Sequence, residues 1–126
     1  MHPNEQILRD LDEAQLKGEI ERFGDFFTED VVVHVGGNSS LAGTTQGRDA
    51  FFEKFQQFSE RVQYTFEPHA YFADDEHGVQ LARSRYTRGD RQAESDDLFV
   101  CHFRDGKVSE AWIISYDNDS VDALLD

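Results

Sequence analysis

The sequence predicts an α+β fold, a cone-shaped roll in which a curved antiparallel sheet wraps over three helices in the order ααβαββββ. Two observations carry this. Apolar residues recur at helical spacing through the first half of the chain and at a spacing of two after Arg61. The second half is also punctuated at regular intervals by Asp74-Asp75-Glu76-His77-Gly78, Arg88-Gly89-Asp90 and Arg104-Asp105-Gly106-Lys107, which read as hairpin turns. With 126 residues, 38% of them apolar, and eleven Phe, the chain has material for one core, so residues 1–126 are expected to form a single domain.

The elements follow in order. From Pro3 to Lys17, Ile7, Leu8, Leu11 and Ala14 mark one amphipathic helix, with Pro3 suited to a first turn and Gly18 to a stop. Glu19 to Phe27 repeats the pattern with Ile20, Phe23, Phe26 and Phe27. Thr28-Glu29-Asp30 then breaks it before the β-branched strand Val31-Val32-Val33-His34-Val35. Gly36 to Ser40 is a loop by composition, and Leu41 to Gly47 a polar connector. In the third helix, Arg48 to Val62, Phe51, Phe55, Phe58 and Val62 form an apolar stripe. Four strands follow, about Gln63 to Ala73, Val79 to Thr87, Arg91 to Phe103 and Val108 to Asp117. A tail from Ser120 to Leu125 adds a last helical turn.

Charge narrows the partners. Against 26 acids stand nine Arg and three Lys, a net charge of −14. Such a surface repels nucleic acid, whose binding requires a positive stripe, and it repels an anionic membrane as well. An acidic surplus with scarce Lys also fits a halophilic protein, in which concentrated salt screens self-repulsion. No run approaches the roughly 18 apolar residues of a membrane span, and the polar start does not resemble a secretory signal, so the expected location is the cytoplasm. The lone Cys101 excludes an internal disulfide framework. Five histidines without metal-ligand spacing suggest no metal, and no motif suggests a cofactor.

Four segments carry a resemblance: Leu16-Lys17-Gly18-Glu19, Phe27 through Gly37, Leu41 through Asp49, and Phe103 through Val108 ahead of Trp112. In this order they resemble the SnoaL-like, ketosteroid-isomerase-like branch of the nuclear-transport-factor-2-like superfamily, whose cystatin-like roll matches the predicted layout. The superfamily includes isomerases, polyketide cyclases, dehydratases and non-catalytic scaffolds, so the fold leaves function open. Carried over residue by residue, the ketosteroid isomerase tyrosine falls on Leu11, its carboxylate base on Val35, and its second donor on Leu98 or Phe99, one residue from Asp97. All of these but Asp97 are apolar, and steroid isomerisation is therefore not expected.

Six residues are candidates for the pocket: His34, Tyr64, Arg85, His102, Trp112 and Tyr116. A histidine can serve as acid or base near neutral pH, an inward arginine can bind a carboxylate or phenolate bidentately, and Trp112 with Tyr116 can wall an apolar ligand. Each has a plainer alternative. Alternation puts His34 opposite Val35, Arg85 can pair with surface acids alongside Arg83, and the aromatics can belong to a dimer face. The face of each strand is left open, because a two-residue primed turn and a three-residue turn with a bulge at Gly106 give registers that differ by one. The sequence thus points to a small-molecule-binding protein for a hydrophobic carbonyl or acid ligand, an acid/base enzyme of cyclase, isomerase or dehydratase type. A non-catalytic binding or dimerisation module is the alternative. A homodimer is expected through the outer sheet face from Phe99 through Tyr116.

Overall fold

A computed structural model describes residues 1–39 and 41–125. The elements are α1 (Pro3–Leu16), α2 (Ile20–Gly24), β1 (Phe27–Val35), β2 (Gly43–Gln46), α3 (Arg48–Arg61), β3 (Gln63–Ala73), β4 (His77–Arg88), β5 (Arg91–Arg104), β6 (Lys107–Ser115) and α4 (Asn118–Leu125). The strands form one six-stranded sheet in the order β2-β1-β6-β5-β4-β3. The α+β roll and its four-stranded meander are as the periodicity indicates. Every pairing is antiparallel except that of β1 with β6.

Three elements differ from the sequence reading. The strand begins at Phe27 instead of Val31, shortening the second helix to Ile20–Gly24. The polar connector contains β2, which lacks an apolar alternation and is held by antiparallel pairing with β1, His34 opposite Thr44 and Val33 opposite Thr45. The tail is a full helix, α4, instead of one turn, and Arg88 anchors it through Nη1, donating to the carbonyls of Leu124 (3.1 Å) and Leu125 (2.7 Å). The loop after β1 is irregular through Ser39, and Ser40 lies outside the described residues, as does Asp126.

Helices α1, α3 and α4 pack on the concave face of the sheet. Leu8, Leu11 and Ala14 of α1 are buried with Phe23, Phe27, Val31, Val33 and Phe51 in the main core, where the Phe rings meet at centroid distances such as 5.1 Å for Phe23–Phe27 and 5.7 Å for Phe27–Phe51. A second cluster joins Phe58, Val62 and Tyr86 to Val121, Leu124 and Leu125 of α4. The start of α1 is tied to the β3–β4 turn: Asn4 Nδ2 donates to the carbonyls of Asp74 (3.0 Å) and Asp75 (3.1 Å). No described helix is long and apolar enough to cross a membrane.

Gly78 lets α1 approach the sheet. A Cβ there would lie 2.7 Å from Phe103 Cε2, 3.0 Å from Cys101 Sγ and 3.0 Å from Leu8 Cδ1. All three neighbours are buried, so the added methyl has nowhere to go. Gly78→Ala is expected to lower stability by about 1–3 kcal/mol, read as a reduced denaturant midpoint. An unchanged midpoint would mean that α1 shifts freely on the sheet.

Candidate functional site

The helices do not fill the cone. A cavity of about 160 Å³ remains between the concave face and α1, α3 and α4, walled by Leu11, Phe23, Phe51, Phe55, Phe58, Phe66, Phe99 and Ile113. Its rim includes Gly36, Leu41 and Lys54, with Asn118, Val121 and Asp122 of α4. The rim loop is tied to α4 by the Asn38 amide, which donates to Asp122 Oδ2 at 2.8 Å. Gly37 is required beside that contact, since its φ is +88° and a Cβ would stand 2.7 Å from Asp122 Oδ1.

Into this largely apolar lining the fold sets two carboxylates. Asp12 belongs to the buried stripe of α1, one helical turn beyond Leu8, and is 5% exposed. Tyr71 and Gln80, direct cross-strand partners on β3 and β4, both donate to its Oδ2, Tyr71 Oη at 2.7 Å and Gln80 Nε2 at 2.8 Å. Burial raises the Asp12 pKa above the ordinary carboxylate value, and the two donors only partly oppose this. The Arg9 guanidinium lies 4.4 Å from the centre of the Tyr71 ring.

Asp97 is the second, inward-facing on β5 and 7% exposed. The Tyr86 hydroxyl donates to its Oδ2. Its Oδ1 is buried with no partner among the described residues, an uncommon state for a buried polar atom. Tyr64 Oη lies 3.3 Å from Ser84 Oγ. Burial holds both the Tyr64 and Tyr86 phenols well above their ordinary pKa, with the charge of Asp97 adding to it in each case and that of Asp12 at Tyr64. Both tyrosines thus stay protonated donors.

Of the six candidate residues, only Tyr64 lines the cavity. His34, Arg85, His102 and Trp112 stand on the convex face and Tyr116 follows the end of β6, which corrects their placement in the pocket. His34 alternates away from buried Val33 and cavity-lining Val35. It stacks on Trp112 at 5.2 Å, with Nε2 2.8 Å from Glu110 Oε2 and Nδ1 2.9 Å from Thr44 Oγ1. His102, outward between Cys101 and Phe103, meets Trp112 edge-on at 5.1 Å. Arg85 pairs with Glu94 at 2.9 Å, and Arg83 with Glu94 and Asp96, the cross-strand pairing of the plainer reading. Tyr116 is 83% exposed.

The register explains Trp112. Asp105 and Gly106 both have positive φ, 54° and 77°, a two-residue primed turn pairing Arg104 with Lys107. Beyond it, Phe103 pairs with Val108 but His102 with Glu110, so Ser109 is an extra residue, a bulge. Plain alternation from buried Val108 would turn Trp112 inward; the bulge turns Ala111 and Ile113 inward instead. Asp12 and Gln80 were missed as site residues. Their signals were an acid on the apolar stripe of a helix and an inward parity on β4. Cys101 is an inert thiol, buried and pushed up to about 12 by desolvation.

The fold and cavity define a class: a nuclear-transport-factor-2-like roll that encloses a space of ligand size. The SnoaL-like domain family matches residues 8–111, and the chain belongs to it. Among solved structures it is similar to Bal32a from a soil-derived mobile gene cassette, with 22% identity, 98% of this chain and 97% of that one covered, and a TM-score of 0.92. It is also similar to an NTF2-like protein from Burkholderia pseudomallei (20% identity, 99% and 98% covered, TM-score 0.89). A third is TerC co-crystallised with polyporic acid (18% identity, 98% of each chain covered, TM-score 0.87). These likenesses establish the fold. No curated protein is significantly similar in sequence.

The raised pKa of Asp12 has a signed consequence. The unfolded chain releases this proton in the ordinary carboxylate range, whereas the folded chain releases it at higher pH, so stability falls as pH rises across that interval. Asp12→Asn removes the effect. Its denaturant midpoint relative to the wild type should therefore climb as pH rises above the ordinary carboxylate range; a flat difference would show that burial does not govern Asp12.

Proposed function

We propose that the cone binds a small, largely apolar carbonyl compound and performs acid/base chemistry on it, of the proton-shifting type that cyclases, isomerases and dehydratases share. The observation that carries this reading is the pair of buried carboxylates, Asp12 and Asp97, each hydrogen-bonded to a tyrosine in a largely apolar wall. Asp12, whose pKa burial raises above the ordinary carboxylate value, is suited to take and return a proton. Tyr64, held protonated and engaged with Ser84 at a long 3.3 Å, is suited to donate to a ligand carbonyl. The carboxyl groups of Asp12 and Asp97 disfavour an acid as the ligand, since a further anionic group would enter a poorly solvated space beside them.

The test is exchange of the acetyl methyl protons of 4-methylacetophenone in D₂O, followed by NMR. The wild type is expected to accelerate exchange and Asp12→Asn to lose about 10²-fold or more of that acceleration. One observation supports the non-catalytic alternative: Leu11, Val35 and Phe99, at or beside positions where a ketosteroid isomerase carries its reacting groups, present apolar side chains to the cavity. Ligand binding without any exchange would favour that alternative.

We further propose a homodimer through the convex face. The apolar groups there are Phe72, Val79, Val100 and Trp112, cross-strand neighbours in turn from β3 to β6, with Leu81 and Ile114; Phe72 is 59% and Ile114 39% exposed. Phe99, expected on this face, points into the cavity instead. The acidic remainder of the surface is read as suited to concentrated salt. Light scattering should give twice the 14.5 kDa chain mass, reduced to one chain by Trp112→Glu. A wild-type monomer at both low and high salt would refute the dimer.

A further inference from the structure

Asp12 has an unequal hydrogen-bond arrangement. Both of its donors, Tyr71 and Gln80, converge on Oδ2, and no described residue donates to Oδ1. A carboxylate has about four acceptor sites over its two oxygens, and Asp12 sits on a cavity wall rich in Phe and Leu. The Tyr86 hydroxyl is committed elsewhere, to Asp97. The protein therefore satisfies one side of a buried carboxylate and leaves the other without a donor, beside an apolar space of about 160 Å³. A void of about 150 Å³ accommodates benzene, so the space suits a single ring.

We propose that Asp12 selects the ligand, its Oδ1 accepting a hydrogen bond from an uncharged hydroxyl, phenol or enol carried on a ring-sized apolar molecule. This rests on the reading of the cone as the ligand site and adds the substrate class: a carbonyl compound that also bears a hydroxyl or is bound as its enol. Carboxylic acids are excluded by the same group. The convergence on Oδ2 makes the assignment reversible by one atom. In Asp12→Asn, with the amide oxygen kept toward Tyr71 and Gln80, the amide NH₂ stands at the place of Oδ1. The variant presents a donor where the wild type presents an acceptor.

The experiment titrates p-cresol, p-xylene, p-tolualdehyde and p-toluate into wild type and Asp12→Asn by NMR. p-Xylene is close in shape to p-cresol without the hydroxyl, so the ratio of the two affinities isolates the hydrogen bond from burial of the ring. The cresol-to-xylene affinity ratio should fall tenfold or more in Asp12→Asn, as expected when a buried acceptor is replaced by a donor, while p-tolualdehyde gains and p-toluate remains the weakest wild-type ligand. An unchanged ratio overturns the role of Asp12 while p-xylene binding upholds the cone as a pocket. Failure of every probe to bind the wild type overturns both. Should Asp12→Asn not fold, the ¹³Cγ signal of Asp12 in the wild type decides: p-cresol must move it and p-xylene must not, and equal movement refutes the proposal.

Discussion

The pairing of β5 with β6 determines which side chains the cavity contains. Ser109 is one residue too many for the ladder, and beyond it the parity of β6 is reversed relative to the turn at Asp105-Gly106. Parity on β6 then propagates, because β1 lies parallel beside it with Val33 opposite Ala111 and His34 opposite Trp112. Inward Ala111 and Ile113 go with inward Val33 and Val35; outward Trp112 goes with outward His34, the two rings stacked. Without the bulge, the bulk of Trp112 would occupy the space that Ile113 and the cavity now share. The ladder thus separates two sets of residues with opposite uses, an aromatic and imidazole set on the convex side and an apolar wall on the concave side.

Against that wall, the buried polar groups are arranged in pairs. A carboxylate taken out of water is tolerable only when donors replace its hydration. Each has a tyrosine: Tyr71 reaches Asp12 from β3, and Tyr86 reaches Asp97 from β4. The donors come from the sheet, whereas Asp12 comes from a helix, so its geometry depends on how closely α1 lies on β4. Gly78 permits that approach two residues before Gln80. The packing of Leu8 above Gly78 and the hydrogen bond from Gln80 to Asp12 are consequences of the same helix-to-sheet distance.

Most of the fold was legible because its signals are local. The change in apolar period at Arg61 and the three turn clusters each reflect a constraint that a few adjacent residues impose, and the meander of β3 to β6 follows from them. β2 was not legible, since Gly43-Thr44-Thr45-Gln46 has no apolar face and is a strand only through its partner β1. α4 was legible as helix but not as a wall of the cavity, which depends on Arg88 reaching it from β4. The candidate site was less legible. His34, His102 and Trp112 drew attention by residue type, and a single bulge with no strong sequence signature decided their side. Asp12 was visible as an acid on an apolar stripe, but its significance required Tyr71 and Gln80, 59 and 68 residues away along the chain.

The relation between this chain and the isomerases of its superfamily follows from the same geometry. The roll offers inward positions on α1, β1 and β5, and chemistry depends on which of them carry ionisable groups. Here Leu11, Val35 and Phe99 are apolar, whereas Asp12, next to Leu11, and Asp97, two residues before Phe99, face the interior. On β5 the step from Phe99 to Asp97 preserves strand parity, so a carboxylate moves along the inner face without a change in fold. On α1 the step from Leu11 to Asp12 rotates the group about 100° around the helix, toward Tyr71 and Gln80. A cavity of this family can thus keep its shape while its polar groups occupy neighbouring positions, and a transfer of function by aligned position would assign this interior no ionisable groups at all.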